Sequence, residues 1–136
     1  MPVAAGKPPH NRLRIVIADD DPLFAAVLRA RLAGRPELEV VGLASDGAEA
    51  VALAEQLLPD LLLMDVHMPG VDGIEATRMV RDLPDPPTVV LITGDDEDAD
   101  ARAYEAGAAA YLQKSVDIVS LIDVVVAVSR VARTAV

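Results

Sequence analysis

Two acidic stretches stand out for what they could do together. Asp19, Asp20 and Asp21 follow the apolar run LRIVIA, and Asp65 follows DLLLM within LLLMDVHMPG. Neighbouring carboxylates repel, and each favours protonation of the next, so a chain that gathers them needs an offsetting charge. A hard divalent cation supplies it: an all-oxygen, partly hydrated donor set suits Mg2+ or Mn2+ rather than zinc. Two further residues follow apolar runs in the same way, Thr93 after TVVLI and Lys114 after AAYLQ. A metal held by acids, a carboxylate nucleophile, a hydroxyl and an ammonium make a phosphoryl-handling site, chemistry that asks chiefly for positioning and charge neutralisation. Asp21 reads differently. Directly before Pro22, it is an N-cap followed by a proline at the first helical position.

For these residues to meet, the elements around them must bring five chain segments to one edge. From Leu13 the sequence alternates short apolar runs with helix-like segments: LRIVIA, LEVVGLA, DLLLM, TVVLIT and AAYLQ, with helices beginning at Pro22, near Asp46, after Gly73, near Asp98 and near Val116. The strands are nearly continuous apolar runs, as expected where helices cover both faces of a parallel sheet. Right-handed crossovers then give an α/β fold, a flavodoxin-like doubly wound (βα)5 sandwich with strand order 2-1-3-4-5. In such a sheet ligands bind beyond the carboxyl ends of the strands, at the switch between strands one and three, where Asp19, Asp20 and Asp65 lie. The first helix carries Phe24, Val27, Leu28 and Leu32 as its buried stripe and ends at Gly34 and Pro36. The second starts at Ser45 or Asp46 as cap and stops before Pro59. In the last helix Ile118, Leu121, Ile122 and Val125 form a core stripe, while Val119, Val124, Val126 and Val131 fall on the remaining surface. A helix apolar nearly all round is expected to be covered.

Composition narrows the function classes. The 136 residues are enough for one domain, and 52% hydrophobic content is enough for one buried core. Residues 1–12, rich in Pro and small residues, read as a flexible leader, and 13–133 as the folded unit, with no effector domain in this chain. The absence of cysteine excludes disulfides, thiolate metal sites and a cysteine nucleophile. A net charge of −10 argues against nucleic-acid binding, which needs clustered cations. No apolar run is long enough to span a bilayer and no signal peptide is evident, so a cytoplasmic location is expected.

With these residues in view, the sequence resembles a response-regulator receiver domain of two-component signalling, from Leu13 to about Val131. The landmarks are ADDDP, MDVHMPGVDG, LITG and YLQKS, in order and in register. The resemblance implies that Asp65 is the phosphoacceptor, Asp20 a direct metal ligand, Asp19 its partner acting largely through water, and the backbone carbonyl of His67 a further ligand of Mg2+. It implies that Thr93 and Tyr111 are switch residues and that Lys114 bonds the phosphoryl group. Gly70 and Gly73 supply turns in the loop after Asp65. A sensor histidine kinase is then the phosphodonor. The face built from helix four, strand five and helix five is the expected surface for a homodimer or an effector domain. Lys114-Ser115 stands where many receivers have Lys-Pro; without proline a cis bond there costs about 3 kcal/mol. The Lys-Ser ending and DGIEATR are most similar to receivers of the NarL/LuxR-type class, which regulate transcription.

Blander readings hold for some residues. The run Asp95 to Asp100 is a solvated loop and helix start, where acids complement the helix dipole. Asp72 is a turn and cap residue, and the His67 imidazole a partly exposed loop side chain. Two functional alternatives stand beside the receiver. An Mg2+-dependent phosphohydrolase with an aspartyl nucleophile would want a second acid two residues after Asp65, where this chain has His67. A receiver-like binding module independent of phosphorylation would not need the full acid-Thr-Lys set. The receiver reading makes the domain no enzyme in the usual sense, since it catalyses only its own phosphorylation and dephosphorylation.

Overall fold

The computed structural model describes residues 12–94, 99–114 and 117–134. Residues 1–11 of the expected leader, 95–98 of the acidic run and the Lys114-Ser115 peptide bond lie outside them. Five strands alternate with five helices: β1 (Leu13–Ala18), α1 (Pro22–Ala33), β2 (Leu38–Ala44), α2 (Gly47–Leu57), β3 (Leu61–Asp65), α3 (Gly73–Arg81), β4 (Thr88–Thr93), α4 (Ala99–Ala106), β5 (Ala110–Gln113) and α5 (Ile118–Thr134). The strands form one parallel sheet in the order β2-β1-β3-β4-β5. This is the doubly wound arrangement expected from the alternation.

Successive strand residues point to opposite faces, and both faces are covered. Leu13, Ile15, Ile17, Leu61, Leu63, Val90 and Ile92 pack with Leu28 and Leu32 of α1 and Leu121 and Val125 of α5. Val16, Ala18, Leu62, Met64, Val89 and Leu91 pack with residues of α2, α3 and α4. That double burial is why the strands carry no polar alternation. The edge strands β2 and β5 are only partly buried along their lengths.

Local chemistry sets the helix ends. Asp21 Oδ1 accepts from the backbone N–H of Leu23 at 3.0 Å and of Phe24 at 3.4 Å, with Pro22 at the first helical position. Asp46 caps α2, accepting from Glu49 N–H at 2.8 Å, while the Glu49 carboxylate reaches back to Ser45 N–H at 2.7 Å. Asp72 caps α3 in the same way, accepting from Glu75 N–H at 2.8 Å. The end of α2 is less ordinary. Leu58 takes the left-handed conformation with φ 48°, unfavourable for a residue with a Cβ. Arg14 of β1 holds that end, donating to the carbonyls of Leu57 at 2.6 Å and Leu58 at 3.1 Å. Arg12, the last residue of the expected leader, donates to the Leu38 carbonyl at 2.6 Å.

Two apolar assignments change in three dimensions. Val27 is 40% exposed, and the buried residues of α1 are Ala25, Leu28 and Leu32. Val27 precedes Leu28 by about 100° of helical rotation, which carries it past the edge of the contact with the sheet. Val126, expected on the outer surface of α5, is buried beside Val125. Val119, Val124 and Val131 are exposed as expected. No helix among the described residues is long and apolar enough to cross a membrane. Leu28→Ala is expected to cost about 2 to 5 kcal/mol and Val27→Ala no more than about 0.5 kcal/mol, read as shifts in the urea midpoint at unchanged slope.

Candidate functional site

Register alone assembles the site. Ala18 of β1 pairs with Met64 of β3, so the next residues, Asp19 and Asp65, emerge side by side. Asp65 pairs with Ile92, putting Thr93 one residue further along β4. Thr93 pairs with Gln113, and the Lys114 N–H donates to the Thr93 carbonyl at 2.8 Å. Five candidate residues thus reach the carboxyl edge of the sheet from four adjacent strands.

The loops then aim the side chains. Asp19 is buried; its N–H donates to the Ala44 carbonyl at 2.9 Å, and its Oδ1 accepts from Asp21 N–H at 2.8 Å. This leaves Oδ2 facing the Lys114 ammonium at 2.9 Å. Asp65, also buried, accepts from His67 N–H at 3.2 Å through Oδ1 and from Lys114 Nζ at 3.2 Å through Oδ2. Asp20 is exposed, so solvent reaches the cluster from its side. Carboxylate oxygens of Asp19, Asp20 and Asp65 lie within 4.8 Å of one another. Oxygens within that span can be shared by a single hard cation, so the three acids suit Mg2+ or Mn2+ in their donor chemistry.

Thr93 Oγ1 is buried with no hydrogen-bond partner among the described residues, whereas Asp19 Oδ2 is met by the Lys114 ammonium. An orphaned buried polar atom costs about 1 to 3 kcal/mol, and Thr93 Oγ1 belongs to this site. The three clustered carboxylates fit a metal, and the unpartnered Thr93 hydroxyl fits an oxygen ligand.

Burial is the strongest influence on Asp19 and favours its neutral form. The Asp21 N–H and Lys114 oppose it, and the net shift is upward from the ordinary 3.8. For Lys114, burial favours the neutral amine, but pairing with Asp19 and the charge of Asp65 prevail, raising its pKa above the ordinary 10.5.

The remaining candidates sit around this centre. The His67 imidazole is exposed and stands outside the carboxylate cluster. Tyr111 of β5 is half-buried against the core on the α2, α3 and α4 side, pairing in register with Leu91 rather than at the strand end. Gly70 has φ +72°, the turn role expected of it. Gly73 differs: a Cβ there would lie 2.1 Å from the Asp65 carbonyl oxygen, so glycine is needed for close approach rather than for a left-handed turn. Gly47, unremarked in the sequence, is the counterpart in α2, where a Cβ would lie 2.0 Å from the Val71 carbonyl oxygen. The loop after Asp65 is thereby pressed between the starts of α2 and α3. Its only sequence signal is a glycine directly after a helix cap, at both Asp46-Gly47 and Asp72-Gly73. Beside Asp19 and Asp20, a cleft of about 710 Å3 runs along α1 past Ala26, Arg29, Ala30 and Leu43.

Comparison with known proteins agrees with this fold. The family model described as the response regulator receiver domain matches residues 15–126. The chain is 42% identical over 119 residues to the transcriptional regulatory protein LiaR of Bacillus subtilis (strain 168), covering 87% of this chain and 56% of that protein. It is 42% identical over 122 residues to the transcriptional regulatory protein DegU of Brevibacillus brevis, covering 89% and 52%. The chain therefore spans about half the length of the curated relatives it matches. The signal receiver domain of NarL from Mycobacterium tuberculosis superposes with a TM-score of 0.83 at 35% identity, covering 89% of this chain and 98% of that one.

The Asp19 shift carries a pH signature. An acid whose native pKa exceeds its unfolded value binds more protons when folded, so the native state loses stability as pH rises from 3.8 through the native pKa, and the deficit is complete above it. In chelator, the stability of Asp19→Asn relative to wild type is expected to grow from about pH 3 toward about pH 7, and added Mg2+ to narrow the gap. Urea titrations across that range check it; a difference that does not vary with pH would contradict the assignment.

Proposed function

Because the chain belongs to the response-regulator receiver family, we propose that it is a phosphorylation-controlled switch whose phosphoacceptor is Asp65. The observation that carries this reading is the buried Asp65 held by Lys114 at 3.2 Å, beside buried Asp19 and the unpartnered Thr93 Oγ1. Asp19, Asp20, Asp65 and the His67 backbone carbonyl would hold Mg2+, which when bound neutralises the charge of the incoming phosphoryl group. An Asp65 carboxylate oxygen attacks phosphorus in line; the O–P bond forms as the P–N bond to a phosphohistidine of a sensor histidine kinase breaks, and the imidazole leaves. The phosphodonor approaches through the cleft along α1, beside the exposed Asp20. Lys114 pairs with a phosphoryl oxygen, and the Thr93 hydroxyl donates to another.

Engaging Thr93 draws on the end of β4, and half-buried Tyr111 on the adjacent strand follows. The aspartyl phosphate biases an equilibrium between two conformations. Attack by water on phosphorus releases phosphate and resets Asp65. The domain catalyses only these two reactions of its own side chain. On this reading it works in the cytoplasm as the receiver of a transcription regulator and does not itself touch DNA.

Incubation with Mg2+ and a small acyl or amidyl phosphate, followed by intact mass measurement, tests the reading. Wild type is expected to gain one phosphoryl mass and Asp65→Asn none. A folded wild type that takes none from several donors would favour a receiver-like binding module, and sustained phosphate release from unrelated monoesters an aspartyl phosphohydrolase.

The output surface follows from α5. Val119 and Val131 are 59% and 68% exposed, Val124 is also exposed, and so is Tyr104 of α4. This supports a homodimer or a docked effector domain across α4, β5 and α5. Sedimentation of the phosphorylated protein is expected to show a dimer that Val119→Glu abolishes; a monomer at all concentrations, phosphorylated or not, would remove the homodimer.

A further inference from the structure

The chain has a single phenylalanine, Phe24. It lies in the first turn of α1, where the Asp21 cap and Pro22 start the helix directly after the acidic pair. Its ring packs partly buried against the core on the α1 and α5 side. The Lys114 ammonium stands 4.4 Å from the ring centroid while also facing Asp19 Oδ2 at 2.9 Å and Asp65 Oδ2 at 3.2 Å. An ammonium at that distance from an aromatic face is attracted by the ring quadrupole. Lysine carries its charge on a flexible four-carbon stem with three rotatable donors, so what surrounds the head group decides where it rests.

We infer that Phe24 is the positioning residue for the Lys114 ammonium, an inference that rests on the phosphoacceptor reading of Asp65. The two carboxylates that hold Lys114 are the same groups a divalent cation would engage, and a cation beside them repels the ammonium. The ring is the contact that metal loading leaves unchanged. With a cation held by Asp19 and Asp65, the ring would keep the ammonium at the site, so that Lys114 is in place for a phosphoryl oxygen. Phe24 touches neither phosphoryl donor nor acceptor; it acts through Lys114. Leucine retains most of its packing but presents no aromatic face, whereas tyrosine retains both.

The test uses the full chain, whose lysines are Lys7 and Lys114, so lysine labelled with 13C at the ε carbon gives two resonances, assigned through Lys7→Arg. With Mg2+ present, the Lys114 ε-methylene is expected to be shifted upfield by the ring in wild type and Phe24→Tyr and to lose that shift in Phe24→Leu. Phosphoryl incorporation from a small donor is expected to slow about three- to tenfold in Phe24→Leu, the range set by a cation–π contact of this kind, and to stay within about twofold in Phe24→Tyr. Thermal midpoints establish that each variant is folded. Phe24→Leu reacting at the wild-type rate overturns the inference, and so does Phe24→Tyr slowing as much as Phe24→Leu, which would make Phe24 a packing residue. If wild type accepts no phosphoryl group, the phosphoacceptor reading falls separately. The spectrum then decides the positioning: a ring-dependent Lys114 shift with Mg2+ bound sustains it, and an unshifted wild-type resonance overturns it.

Discussion

The constraint on which the rest of the structure depends is the repulsion among Asp19, Asp20 and Asp65, held with carboxylate oxygens inside 4.8 Å at the ends of two adjacent strands. Two of the three are buried, where like charges interact more strongly than in water. Lys114 is the cation the fold places against them, at 2.9 Å from Asp19 and 3.2 Å from Asp65. One positive charge does not balance three negative ones. The site is therefore electrostatically incomplete, with burial pushing Asp19 toward its neutral form. Such a site rests in tension that a divalent cation would relieve.

Holding that arrangement requires a rigid frame. The sheet provides it because each strand is clamped between two helical layers, with Leu62, Leu63, Met64, Leu91 and Ile92 fully buried or nearly so. The loop after Asp65 is held as firmly by what is missing from it. Side chains at Gly47 and Gly73 would collide with backbone oxygens, so their absence lets the starts of α2 and α3 close onto that loop. Overpacked backbone contacts have no flexible end to yield. The strand that carries Asp65 thus ends in a segment held between α2 and α3, while α5, packed on the other face of the sheet, keeps exposed apolar groups.

The same frame explains how a local event at Asp65 could be felt elsewhere. Thr93 and Lys114 are neighbours across β4 and β5, joined by the Lys114 N–H to Thr93 carbonyl bond at 2.8 Å. Tyr111 lies on the same short strand as Gln113, only partly buried and so less constrained than the central strands. Motion is easiest where burial is least, and the least buried strands are the edges.

Much of this was legible in the order of residues. Apolar runs that alternate with helical segments implied a parallel sheet covered on both faces, and the acids, Thr93 and Lys114 at the ends of those runs implied one edge, because strand ends in such a sheet point to a common crevice. The caps at Asp21, Asp46 and Asp72 were equally local, since a cap bonds to N–H groups two or three residues away. Other features depended on contacts between distant segments. Val27 and Val126 could be assigned to surface or core only by the rotation at which their helices dock. Gly47 became necessary only because Val71, distant in sequence, presses its carbonyl there. The aromatic face of Phe24 met Lys114 only because α1 and the end of β5 converge. Local patterning settles which residues form each element and which end of it carries the chemistry; the packing of elements settles which backbone passes too close for a side chain and which ring lies over which charge, because those distances run through space and not along the chain.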